Sequence, residues 1–187
     1  MKSELLKKIA DREIVAGVVG LGYVGLPLAV EKAKAGFKTI GFDVQQSKVD
    51  QVNSGHNYIG DVVDSDLAML VKNGMLQATS DFSRISEVDF VAICVPTPLD
   101  AHQQPDISYV RSSAESIAKH LHRGMMVVLE STTYPGTTEE LIKPILESTG
   151  LKCGEDFYLG FSPERVDPGN AVYKTKKEKF KAVVEEV

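Results

Sequence analysis

Gly20, Gly22 and Gly25 follow an apolar run at the spacing G-x-G-x-x-G, and Asp43 stands 23 residues beyond the first of them. Glycines at these intervals do three different things. Gly20 permits a tight turn, Gly22 lets a pyrophosphate approach the backbone, and Gly25 lets the next helix pack close to the preceding strand. Leu21, Tyr23 and Val24 fill the same turn. Free N–H groups at the helix start would face the phosphates, where the helix dipole favours negative charge. A carboxylate at the distance of Asp43 accepts ribose hydroxyls and repels a 2′-phosphate, which favours NAD over NADP. Asp43 alone would read equally well as a turn residue at a strand end. The register of strand, glycines, helix, strand and acid decides for the ribose.

These residues need a scaffold, and the chain supplies one. Residues 14–19 form an apolar strand (β1), residues 26–35 a helix ended by Gly36, and residues 38–42 a second strand with Asp43 at its end. Residues 45–53 and 61–71 carry helical patterns around a Ser-Gly-His-Asn loop, and residues 75–79 read as a weaker strand. In the first of these helices Lys48 could reach the adenosine end of a dinucleotide, or be a solvated helix charge. His56, alone in its loop, reads as solvent-facing. Residues 88–95 form an apolar strand stopped by Pro96-Thr97-Pro98. A helix over 108–120, a strand over 125–129, a helix over 138–148 and a strand over 157–161 come next. The alternation predicts an α/β, doubly wound, mostly parallel sheet of Rossmann-like type, with helices on both faces and strand order 3-2-1-4-5-6. Ligands bind at the carboxyl ends of such strands, where Thr97, Thr132 and Glu164 fall in the same positional class. A sheet core needs none of these polar residues, so together they mark a site.

Composition narrows the classes. The 187 residues are 43% hydrophobic with a net charge of −5, enough for one sizeable core. A basic footprint for nucleic acid is missing, so no nucleic-acid partner is expected. The charged amphipathic N-terminus lacks a signal peptide's apolar centre, and no run approaches the roughly 18 apolar residues that span a bilayer. A cytoplasmic protein with no membrane partner is expected. Cys94 and Cys153 are the only cysteines. Cys94 reads as a small core residue of its strand, and no Cys/His spacing suggests a metal.

GLGYVGLP, VPTP, ESTTYPGTTEEL and SPERVDPGN, in that order, resemble the N-terminal NAD-binding domain of the UDP-glucose/GDP-mannose 6-dehydrogenase family. The last motif is most similar to the branch acting on UDP-N-acetylhexosamines, such as UDP-N-acetylglucosamine. The match covers residues 14–173, preceded by a helical lead-in over 1–13 and followed by a tail over 174–187. The resemblance implies oxidation of the C6 alcohol of a nucleotide sugar to a carboxylate, with two NAD and a thioester on the way. It also implies a homo-oligomeric full-length protein, part of polysaccharide biosynthesis. It places Gly20, Leu21, Gly22, Tyr23, Val24, Gly25, Asp43, Lys48, Pro96, Thr97 and Thr132 about the NAD. Glu164 and Arg165 fall on the sugar-nucleotide side. Thr132 and Glu164 would support the hydrolytic half of the reaction through ordered water.

Two departures matter. The family's nucleophilic cysteine lies in a glycine-rich motif downstream, beyond the last residue here, so this chain alone is expected to be inactive. In relatives acting on UDP-glucose a second glutamate comes four residues after the counterpart of Glu164. Here Pro168 stands there, and the general base is left unassigned. The tail lacks the small-residue run expected next and reads as the start of a central helix or as a truncated end. Two rivals remain. A short-chain dehydrogenase or epimerase would use Tyr173-x-x-x-Lys177, but four lysines within residues 174–179 produce that spacing easily, and Tyr23 stands where its third glycine belongs. A non-catalytic NAD sensor would share every cofactor feature.

Overall fold

The computed structural model describes residues 2–98 and 105–163. Six strands, β1 (Val15–Val19), β2 (Lys38–Phe42), β3 (Leu76–Thr79), β4 (Phe90–Ile93), β5 (Met126–Leu129) and β6 (Tyr158–Phe161), form one sheet. Their order is β3-β2-β1-β4-β5-β6, as the alternating pattern predicts, and all neighbours run parallel. The sheet is apolar on both faces because both are covered. Ala16, Val18, Phe90, Ala92, Met126 and Val128 face one core, packed under α2 (Gly25–Lys34), α3 (Gln46–Asn53) and α4 (Asp64–Lys72). Val19, Val91, Ile93, Val127 and Leu129 face the other, under α5 (Ser108–Ala118) and α6 (Lys143–Glu147).

Most element ends fall within a residue or two of expectation, and the larger differences have local causes. The helix expected over 61–71 begins at Asp64 because Asn57 holds the preceding loop: its amide Nδ2 donates to the carbonyls of Ile59 and Val62. A 3₁₀ turn at Phe82–Glu87, unforeseen in the sequence, is opened by Asp81, whose side chain accepts the Ser83 N–H at 2.9 Å. The single helix expected over 138–148 is instead a wide, π-type turn at Thr137–Ile142 running into α6. Pro144 lies at the start of α6, where its missing N–H and its ring are tolerated; inside a continuous α-helix they would not be.

In the N-terminal helix α1 (Lys2–Ala10), Leu5, Leu6 and Ile9, which helical spacing puts on one face, are not all turned inward. Leu5 is buried and Ile9 half-buried, but Leu6 is exposed. Lys8 anchors the helix through Asp89, 3.0 Å away, and Asp89 also accepts the Val15 N–H at 2.9 Å.

Candidate functional site

At the carboxyl ends of the strands, where the order reverses between β1 and β4, the surface opens into a cleft of about 530 Å³. Gly20, Gly22, Tyr23, Val24, Asp43, Lys48, Pro96, Thr97 and Thr132 all line it. Such a switch point is where open α/β sheets bind ligands.

The glycine turn is built by three different constraints. Gly20 has φ +91° and donates its N–H to the Phe42 carbonyl at 2.8 Å; a Cβ there would press on the Cys94 carbonyl. At Gly25 a Cβ would run into the Gly20 carbonyl oxygen, so this glycine closes helix against strand. Gly22 has no such reason within the protein. Its φ is not positive, and a Cβ there would meet nothing within 4 Å. The space that its missing side chain leaves belongs to the cleft, which is what close approach of a pyrophosphate requires. Gly25 and Leu21 do not line the cleft. Leu21 is fully buried, its side chain against Gly41 of β2, and only its backbone serves the turn.

Asp43 is buried at the end of β2. Its Oδ2 accepts the Leu21 N–H at 2.9 Å and its Oδ1 accepts the Gln45 N–H at 2.9 Å. Lys48 Nζ lies 3.6 Å from Oδ2, so this lysine is a partner of the acid and not only a solvated charge. A carboxylate offers about four lone-pair sites, and two amides leave room for ribose hydroxyls.

Across β1, the exits of β4 and β5 are tied together. Thr97 Oγ1 donates to the Thr132 carbonyl at 2.6 Å, and Ser131 Oγ donates to the Val95 carbonyl at 2.8 Å. Cys94 lies just past β4 and not inside it, buried beneath the cleft, with its Sγ 3.8 Å from Glu130 Oε2. Below this floor Lys32 of α2 is buried, its ammonium 4.4 Å from the centre of the Phe90 ring. Burial pulls that ammonium from its ordinary 10.5 down to about 8, against the attraction of Glu130 and Cys94.

Sequence reasoning missed Tyr58, Ile59, Val95, Glu130 and Ser131 as cleft residues, and gave Cys94 to the core alone. Glu130 and Ser131 were legible in principle, since they precede Thr132 on the same strand exit. Tyr58 and Ile59 come from a loop with no motif. Glu164, Arg165, the Tyr173/Lys177 pair and the tail lie outside the described residues. His56 is exposed. Among the described residues no group of His, Cys, Asp and Glu could hold a metal, and no helix is long and apolar enough to cross a membrane.

A parallel doubly wound sheet with a glycine turn and an acid at its switch point defines a Rossmann-type dinucleotide-binding domain. Residues 14–184 match the model of the UDP-glucose/GDP-mannose dehydrogenase family, NAD binding domain, and the chain belongs to that family. It is 40% identical over 164 residues to UDP-N-acetyl-D-glucosamine 6-dehydrogenase of Pseudomonas aeruginosa, covering 87% of this chain and 38% of that protein. It is 37% identical over 153 residues to UDP-N-acetyl-D-mannosamine dehydrogenase of Pyrococcus horikoshii, covering 81% of this chain and 36% of that protein. The crystal structure of a ternary complex of GDP-mannose dehydrogenase from Pseudomonas aeruginosa superposes with a TM-score of 0.78 at 31% identity, over 82% of this chain and 36% of that one. The chain thus spans less than two-fifths of the length of these relatives. It is the NAD-binding domain of that family, and its cofactor is NAD.

The geometry of Asp43 sets an expectation for cofactor choice. Asp43→Ala should weaken NAD by about tenfold or more, the worth of charge-assisted hydrogen bonds, while weakening NADP far less. Titration calorimetry of both cofactors against both chains reads this. Equal affinity of the unmodified chain for NAD and NADP would sink the assignment of Asp43 to the ribose.

Proposed function

We propose that this chain is the cofactor half of an enzyme that oxidises the C6 alcohol of a UDP-N-acetylhexosamine to the carboxylate, consuming two NAD. The observation that carries the reading is identity of about 40% to dehydrogenases of UDP-N-acetyl-D-glucosamine and UDP-N-acetyl-D-mannosamine over more than four-fifths of the chain. The site supports it. The turn at residues 20–25 and Asp43 hold the adenosine and pyrophosphate, leaving the nicotinamide to run past β1 toward the tied exits of β4 and β5. NAD supplies the hydride acceptor. Thr97 and Thr132 wall that end of the cleft, and Glu164 with Arg165 belongs to the substrate side. Thr132 and Glu164 serve the hydrolytic half by ordering water. We place the enzyme in the cytoplasm as a homo-oligomer.

The chain alone binds NAD without turning over sugar. The second oxidation needs a thiolate within bonding distance of the aldehyde carbon. Cys94 lies buried beneath Gly25, and Cys153 stands before β6 at the far end of the strands, its thiol pushed up by burial. The test tracks NADH absorbance with UDP-N-acetylglucosamine. A full-length protein carrying this sequence should release two NADH per sugar, and the 187-residue chain none. One NADH per sugar from the full-length protein, or none with any UDP-N-acetylhexosamine, overturns the reaction. Turnover by the short chain that disappears in Cys94→Ser or Cys153→Ser would show that the nucleophile has been misplaced.

A further inference from the structure

Tyr58 stands in the loop between α3 and α4, on the rim of the cleft. The loop is shaped from within by Asn57. Its Nδ2 donates to the carbonyls of Ile59 at 2.5 Å and Val62 at 2.6 Å, and its Oδ1 accepts the Ile59 N–H at 2.7 Å. So held, the half-buried Tyr58 reaches 37 residues back along the chain and donates its hydroxyl to the Leu21 carbonyl at 2.7 Å. The N–H of the same leucine donates to Asp43 at the end of β2. Leu21 is therefore gripped on both sides, its N–H from β2 and its C=O by the loop.

The grip on the carbonyl matters because the next residue is Gly22. The Leu21–Gly22 peptide is trans and planar, so the direction of the Leu21 carbonyl sets the opposite direction of the Gly22 N–H and the entry of the chain into Tyr23 and Val24. Gly22 itself resists little. It has no Cβ, nothing lies within 4 Å of where one would be, and glycine enters much of φ/ψ space at low cost. The residue that lets a pyrophosphate approach is thus also the one least able to keep the backbone aimed at it. The Gly22 carbonyl accepts the Leu26 N–H at 3.1 Å and is held by α2, so the side left to an outside constraint is the Leu21–Gly22 peptide.

We propose that Tyr58 is a positioning residue for the cofactor, its hydroxyl holding the Leu21–Gly22 peptide so that the backbone of Gly22, Tyr23 and Val24 stays set to receive the pyrophosphate. A turn fixed before binding spares the ligand the cost of ordering it. The inference rests on the reading of residues 20–25 as the pyrophosphate turn. It adds a contribution from a loop that carries no cofactor motif, and it predicts that the contribution is felt by the phosphates and not by the base. The Tyr58 ring also packs against the core beneath α2 to α4, so a purely structural role has to be told apart from this one.

Tyr58→Phe makes the distinction, since it keeps the ring and deletes the hydroxyl. The 187-residue chain and the variant are titrated with NAD, ADP-ribose and adenosine, by calorimetry for the first two and by NMR shifts for adenosine. NAD and ADP-ribose should each bind several-fold, up to about tenfold, more weakly to the variant, with adenosine changed less than about twofold and the urea midpoint lowered only as far as one lost hydrogen bond accounts for. Tyr58→Leu, which also removes the ring, should weaken adenosine as well. NAD affinity unchanged from the unmodified chain, or equal losses for NAD and adenosine in Tyr58→Phe, would overturn the proposal. Failure of the unmodified chain to bind NAD at all would overturn the reading of the glycine turn itself, and the role of Tyr58 with it.

Discussion

Gly25→Ala should cost the protein about 3 kcal/mol or more, and the variant should expose its core at a urea concentration where the unmodified chain is fully folded. The added methyl would sit inside the Gly20 carbonyl oxygen, with the Cys94 Cβ 3.2 Å away on its other side. Neither neighbour can yield. Gly20 is held by its N–H bond to Phe42, and Cys94 by its backbone bond to Val19. The only relief is to lift the start of α2 from the sheet, which uncovers Leu26 and Ala29, both fully buried. Gly22→Ala is the matched control, because it adds the same methyl to the same turn where nothing opposes it. That variant should unfold with the unmodified chain and yet lose most of its affinity for NAD. If Gly22→Ala binds NAD as before, the pyrophosphate does not pass over residue 22. If Gly25→Ala is as stable as the unmodified chain, α2 does not dock through this glycine.

The second large effect is electrostatic. The unfolded chain holds Lys32 at its ordinary 10.5 and the folded chain at about 8, with desolvation the leading cause. Below about 8 the folded protein carries a charge that it would shed at less cost, a penalty of about 3 kcal/mol. Between about 8 and 10.5 the unfolded chain binds the extra proton, so the free energy of unfolding climbs as pH rises through that window. Lys32→Met keeps the stem over Phe90 and removes the titration. Relative to the variant, the unmodified chain should gain about 3 kcal/mol of stability between about pH 8 and about pH 10.5. Urea titrations across this pH range measure it. Parallel stability curves for the two chains would show that Lys32 is not buried as a cation.

The sheet was legible because its strands are nearly unbroken apolar runs, the mark of strands covered on both faces, and the glycine turn pinned β1 as the centre. The helix boundaries that shifted did so for reasons one residue deep. Pro144 widened a turn, and Asn57 held a loop that the apolar periodicity of Leu67 and Leu70 ran into. The site was legible where it sits on strand exits, at Asp43, Thr97 and Thr132. It was not legible at Tyr58 and Ile59, which come from a loop whose position depends on hydrogen bonds within that loop. Lys32 was hidden for a different reason. A lysine in an Ala-rich helix between Glu31 and Ala33 reads as a solvent charge, and nothing local announces that Phe90 and Glu130 lie beneath it.

The double engagement of Asp43 bears on how this coenzyme preference could ever change. Its two oxygens each take a backbone amide, one from the glycine turn and one from the start of α3, so the acid proposed to select the coenzyme is also a fastening of the domain. A lineage drifting toward a phosphorylated coenzyme could not simply trade the acid for a small or basic residue. It would first need another acceptor for the Leu21 amide and another partner for Lys48. A change at residue 43 shifts selectivity only by undoing these fastenings as well, so engineering it would pair residue 43 with its neighbours at 21, 45 and 48.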